Sequence, residues 1–297
     1  MSYKKKNQHY IPQMILRNHF NFQIPMKSPI IYQYDKKTGT ERVTKTKEIC
    51  KERNLYELKD EYGHISEEEQ NVIENIFSCY ERKWSNTIKK ILRQEQLSDE
   101  DITCLYLLIA LQLIRTPEFI DLISEWLQET SKNIGKPINK NVSDRYTKIS
   151  AFIWNNENPK ANWILYLVVK FVLSDKELVI YHSDTNFILN GNRPVLCINP
   201  FKNSDISIDY FLFPVSSHYC LGLINKDKAK SLYMDIPDGM TQFINTENFL
   251  NEGRFIYSCK SILEDVEKYA KIEENRRIIF PYYQKGKKQV LYSIDEM

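Results

Sequence analysis

Ser66-Glu67-Glu68-Glu69-Gln70-Asn71-Val72-Ile73-Glu74-Asn75-Ile76-Phe77 is the stretch at which the chain changes period. Before it, over residues 8–58, the pattern is extended and turn-like; after it, apolar residues recur at helical spacing. Ser66 with Glu69 has the form of a capping box. Ile73, Ile76, Phe77, Tyr80, Trp84, Ile88 and Ile91 then line one stripe, the face an amphipathic helix buries.

Toward the amino terminus, Ile30-Ile31-Tyr32-Gln33-Tyr34 alternates and is rich in β-formers. Residues 35–39 supply turn chemistry and Glu41–Thr46 can return, which predicts a β-hairpin. Toward the carboxyl terminus, a second helix is expected from Ser98, with Asp101 in the box position, to about Arg115. Thr116-Pro117 ends it and opens a third helix over 117–133. Helices are expected over 143–154 and 159–174. Short strands follow at Leu178–His182, Asn186–Leu189, Pro194–Ile198, Ile208–Phe213 and Tyr219–Leu223. A helical region over 246–270 and a terminal strand at Arg277–Pro281 complete the reading. The expectation is a single α+β domain over 1–297: β-rich at 1–60, helical at 66–174, β-rich with a helix at 175–297. Its mixed or antiparallel sheet draws on both the N- and the C-terminal segments.

With 42% hydrophobic and 27% charged residues, the composition fits a globular chain and excludes a fibrous or low-complexity one. Net charge is only +2, but residues 1–50 hold ten Lys/Arg against three Asp/Glu. That basic segment, with Lys4-Lys5-Lys6, either touches phosphates or is a solvated tail. Six scattered cysteines without a C-x-x-C pair argue for reduced, mostly buried thiols in a cytoplasmic protein. The start lacks the apolar region of a signal peptide, and the run from Trp163 to Leu173 is too short for a membrane span. No dinucleotide fingerprint, P-loop, zinc spacing or nucleophile elbow is present, so neither cofactor nor metal is expected. His182-Ser183-Asp184 reads as a polar strand end, since three adjacent residues cannot form a triad with one another.

Three blocks carry most of the polar chemistry. The first is Gln8-His9-Tyr10-Ile11-Pro12 with Leu16-Arg17-Asn18-His19-Phe20. The second is Leu111-Gln112-Leu113-Ile114-Arg115-Thr116-Pro117. The third is Phe187-Ile188-Leu189-Asn190-Gly191-Asn192-Arg193-Pro194-Val195, followed by Phe213-Pro214-Val215-Ser216. In these blocks and their order the chain resembles the DUF4238 family, a prokaryotic family whose name records an unknown function. Glu74 and Glu81 stand where the resemblance places helical glutamates. The family's third block usually reads Thr-Ser-Asp-Asn-Pro; here Asn192 holds the acidic place, which disfavours a metal- or acid-dependent mechanism.

His9 can act as general acid/base or hold backbone near Pro12. Arg17 and Arg115 can hold phosphate, or Arg115 can complement its helix dipole. Gln8, Asn18, Gln112, Asn192 and Arg193 can orient a substrate. Glu74 and Glu81, two turns apart, either hold a hydrated cation or pair with Lys and Arg. The leading expectation is an enzyme acting on nucleic acid or a nucleotide, a metal-independent nuclease in a toxin or phage-defence setting. The alternative is a non-catalytic sensor that binds a nucleotide, a phage component or a protein partner. A homo-oligomer is an open alternative, and no membrane contact is expected. An enzyme should gather His9, Arg17, Arg115 and the 190–193 turn around an open pocket. A scaffold would leave them buried and mutually satisfied.

Overall fold

The computed structural model describes residues 7–20, 29–153, 162–173, 175–198, 210–227, 229–236, 238–269 and 271. In chain order the elements begin with β1 (Asn7–His9), α1 (Gln13–Asn18), β2 (Ile30–Asp35), β3 (Thr40–Lys45), β4 (Lys51–Arg53), α2 (Val72–Leu92), α3 (Asp99–Ile114), α4 (Pro117–Asn133), α5 (Lys140–Phe152) and α6 (Trp163–Leu173). They continue with β5 (Lys176–His182), β6 (Leu189–Asn190), β7 (Leu196–Ile198), β8 (Tyr210–Pro214), β9 (Tyr219–Asn225), β10 (Tyr233–Asp235), α7 (Asp238–Leu250) and β11 (Phe255–Ser258). The fold is α+β. The chain forms two compact units, each discontinuous in sequence: Met1–Pro12 with Cys50–Ser174, and Gln13–Ile49 with Asp175–Met297.

The first unit is built on helices. α3 buries residues all round, among them Leu105, Leu108, Ile109 and Ile114, so it is the central helix. The stripe of α2 meets it through Phe77, Trp84, Ile88 and Ile91. Tyr56, Phe77 and Phe152 pack edge-to-face at 4.9–5.7 Å. β1 pairs antiparallel with β4 and is held over the end of α3.

The helix starts test the local signals. At α3 both halves of the capping box form, Ser98 with Asp101, and at α4 Thr116 caps with Pro117 behind it. α2 begins later than Ser66 suggests. The Glu69 N–H does donate to Ser66 Oγ at 3.2 Å, but only a turn closes there. Asn71, at φ 61°, stands in the left-handed region, and its N–H goes to the buried Glu57 carboxylate at 3.2 Å.

The second unit holds a four-stranded sheet, β3-β2-β11-β6, and a five-stranded sheet, β10-β5-β9-β8-β7. The first joins the N-terminal hairpin to C-terminal strands, as the sequence predicts. In the second, only β10 and β5 run parallel. α7 serves both sheets: Phe243 and Ile244 join the core of the five-stranded sheet, and Phe249 packs with Tyr34 and Ile256 of the other.

Several boundaries differ from expectation. Residues 13–18 are helical, consistent with the helix formers Gln13, Met14, Leu16 and Arg17. The strand expected at Asn186–Leu189 shrinks to Leu189–Asn190, because amide side chains of α7 replace sheet partners: Asn245 takes the Ile188 N–H and gives to the Asn186 carbonyl. The helical region expected over 246–270 is split by β11. Gly253 makes the break at φ +127°, where an added Cβ would lie 2.7 Å from Asn190 Oδ1. β10 was not foreseen. The terminal strand at 277–281 and the Lys4–Lys6 run lie outside the described residues.

None of the six cysteines is in a disulfide, and only Cys50 and Cys220 are buried, which corrects the mostly buried reading. Among the described residues, no single helix is long and apolar enough to cross a membrane; α3 and α4 pass by length and composition only as a pair, bent by 62°.

Candidate functional site

The end of α3 locks the first half of the opening motif in place. Gln112 Nε2 donates to the Tyr10 carbonyl at 2.9 Å, and Arg115 Nη2 donates to the His9 carbonyl at 2.7 Å. Gln112 and Arg115 are three residues apart on one helix face, so they grip consecutive peptide groups. Gln8 is fully buried: it donates to Glu57 at 3.1 Å and accepts from the Tyr56 N–H at 2.7 Å.

Arg115 is only 1% exposed. Its guanidinium meets Glu81 at 3.0 Å and lies 4.3 Å from the Phe77 ring centre. Tyr56 Oη donates to its backbone carbonyl at 2.6 Å. Burial works against the charge, but Tyr56 and Glu81 outweigh it and hold the group protonated. Glu81 is thus an ion-pair partner rather than a cation ligand, and Arg115 reaches a peptide carbonyl and a carboxylate.

The other expected residues belong to the second unit. Arg17 is exposed and bonds Gln13 at 2.8 Å. The Asn18 carbonyl accepts from the Ser217 N–H at 3.2 Å. His19 is fully buried, its Nε2–H donating to the Pro214 carbonyl at 3.2 Å. Burial lowers its pKa to about 4, with His218 adding to the effect. Asn190 Oδ1 accepts from the N–H groups of Asn192 and Arg193, and its Nδ2 gives to the carbonyls of Asn248 and Glu252. Arg193 pairs with Glu252, and Asn192 Oδ1 takes the Arg254 N–H. An added Cβ at Gly191 would meet the Tyr257 ring at 2.6 Å.

The motif therefore divides. Gln8, His9, Gln112 and Arg115 come together in the first unit. Arg17, Asn18, Asn192 and Arg193 stand in the second, where His19 is tied to the end of β8 and Asn18 to Ser217 just after it.

Two concave surfaces and one dyad were not singled out by the sequence. Between α2 and α3 lies a groove of about 540 Å³, with Tyr80, Lys83, Asn86, Lys90, Cys104 and Leu107 among its walls. Lys90 meets Asp101 at 2.6 Å, and Thr87 donates to Asp101 at 3.0 Å. The Lys90 bond holds the Asp101 carboxyl well below the usual range. The available signal was the polar spacing of Lys83, Asn86 and Lys90 beside the stripe of α2. A smaller hollow of about 190 Å³, in the second unit, is walled by Thr185, Asn186, Gln242, Lys260 and Tyr269. His182 Nδ1 lies 2.8 Å from Asp235, not Asp184. These residues are direct partners across the parallel strands β5 and β10. Among the described residues, no group of three His, Cys, Asp or Glu side chains is placed to hold a metal ion.

The family described as "Protein of unknown function (DUF4238)" matches residues 7–261. No curated protein and no solved structure matches the chain.

Proposed function

The chain belongs to the DUF4238 family, and from the geometry of its polar residues we propose that it is a non-catalytic binding module, a cytoplasmic sensor of a nucleotide or nucleic-acid component. The observation that carries this reading is the burial of Arg115, its charge spent on Glu81 and its Nη2 on the His9 carbonyl. A guanidinium so neutralised is a poor phosphate clamp. Gln8 and the Nε2 of Gln112 are likewise committed to the protein's own backbone and to Glu57. The polar motif then builds a scaffold, and recognition falls to open surface elsewhere. Such a sensor suits a toxin or phage-defence role.

The test is His9→Ala. What Arg115 takes from His9 is a backbone carbonyl, so the variant is expected to fold and to keep its biological effect. Purified protein is expected to leave RNA and single-stranded DNA intact. Cleavage by the wild type that disappears in a folded His9→Ala protein overturns the reading.

A catalytic reading rests on His182. With Asp235 at Nδ1, His182 offers Nε2 for proton transfer. It predicts a hydrolytic activity that survives His9→Ala and is lost in His182→Ala.

A further inference from the structure

We infer that the groove between α2 and α3 binds a free mononucleotide, an inference that rests on the binding-module reading. Its volume of about 540 Å³ lies within the ~300–1,000 Å³ of small-molecule sites. That space holds one nucleotide with water around it.

The walls divide the work. Tyr80 is braced from behind, its ring stacked on Trp84 at 5.7 Å and 17°. A ring fixed in this way is ready to receive a planar base, with Leu107 beside it. Lys90 and Asp101 are locked together and to Thr87, so they form a fixed polar wall. Lys83 is different. It faces Glu100 at 3.7 Å, with side chains 66% and 85% exposed. A pair that long and that wet is worth little. Lys83 can exchange Glu100 for a phosphate at small cost.

The charge is divided between the walls: α3 brings Asp99, Glu100 and Asp101, and α2 brings the cations that would hold an anion. Residues 82–93 of α2 and its cap carry Arg82, Lys83, Lys89, Lys90 and Arg93 and no acidic residue. All but Lys90 are exposed. Of this run Lys83 and Lys90 line the groove, and the rest make the α2 side of it basic. Asn86, at the same rim, supplies an amide to the ribose or phosphate.

The experiment is titration calorimetry on the full chain with AMP and, separately, with a short single-stranded oligoadenylate. AMP is expected to bind, more weakly as salt rises. Lys83→Glu and Tyr80→Ala are each expected to weaken it about tenfold or more. Lys83 is exposed, so its variant tests the site even if Tyr80→Ala disturbs Trp84. No AMP binding, or AMP binding unchanged in the Lys83→Glu protein, overturns the groove. Binding of the oligoadenylate in preference to AMP overturns the free mononucleotide. Either result leaves the binding-module reading standing. Cleavage of the oligoadenylate is the outcome that removes that reading instead.

Discussion

Arg115 and His19 show how single side chains in the motif blocks are spent. Arg115 ends α3 and closes a buried pair with Glu81 while holding the backbone of β1. Removing it takes a partner from a partly buried carboxylate and from the His9 carbonyl. Arg115→Ala is therefore expected to destabilise the protein by about 3–5 kcal/mol, read by urea denaturation; a loss under about 1 kcal/mol would contradict the buried-strut role. His19 sets a pH dependence. Its native pKa of about 4 lies below the ordinary 6.5. Above pH 6.5 both folded and unfolded chains carry it neutral, and it contributes no penalty. As pH falls below 6.5, the unfolded chain binds a proton that the native state refuses. Stability drains by about 3 kcal/mol by pH 4. His19→Gln keeps a donor for Pro214 and is expected to flatten that decline; equal slopes in the two proteins would refute the assignment.

At the scale of elements, local chemistry decides most starts and a few distant contacts decide the rest. α3 begins where Ser98 and Asp101 cap each other, and Asp101 also reaches Lys90 and Thr87 of α2. Ser98→Ala removes the cap and one donor to Asp101, which keeps Lys90 and Thr87, and is expected to cost about 1 kcal/mol. Thermal denaturation with unchanged α2–α3 packing by NMR checks it. α2 shows the opposite case. Its box residues bond each other, yet Glu57, from fourteen residues before Asn71, decides where the helix starts. The hairpin β2–β3 and helix α4 were legible because turn, cap and period all lie within a few residues. β10 was not, because its three residues become a strand only by pairing with β5.

At the scale of the molecule, both units are woven from distant stretches. In the second, β11 lies between β2 of the N-terminal hairpin and the two-residue β6. A fragment of residues 175–297 lacks the hairpin and leaves β11 with an open edge. It is expected to give a poorly dispersed NMR spectrum, recovered when a peptide spanning residues 29–49 is added. A dispersed spectrum from the fragment alone would show that the hairpin is dispensable. The first block is likewise divided, His9 belonging to one unit and His19 to the other.

What the chain's order of residues determined by itself was local: the hairpin at 30–46, the caps at Ser98 and Thr116, the α+β class and the family blocks. The hairpin and the caps depend on groups a few bonds apart, where sterics and short-range hydrogen bonding act; the class and the blocks follow from the order of such local patterns along the chain. Tertiary structure alone decided what the polar residues were for. Arg115 meets a carboxylate thirty-four residues away, and His182 one fifty-three residues away. Whether a guanidinium is open to a phosphate or already neutralised depends on burial and on partners brought from afar. No spacing rule within the motif could have specified either, and the same packing opened the groove at Lys83 and Tyr80.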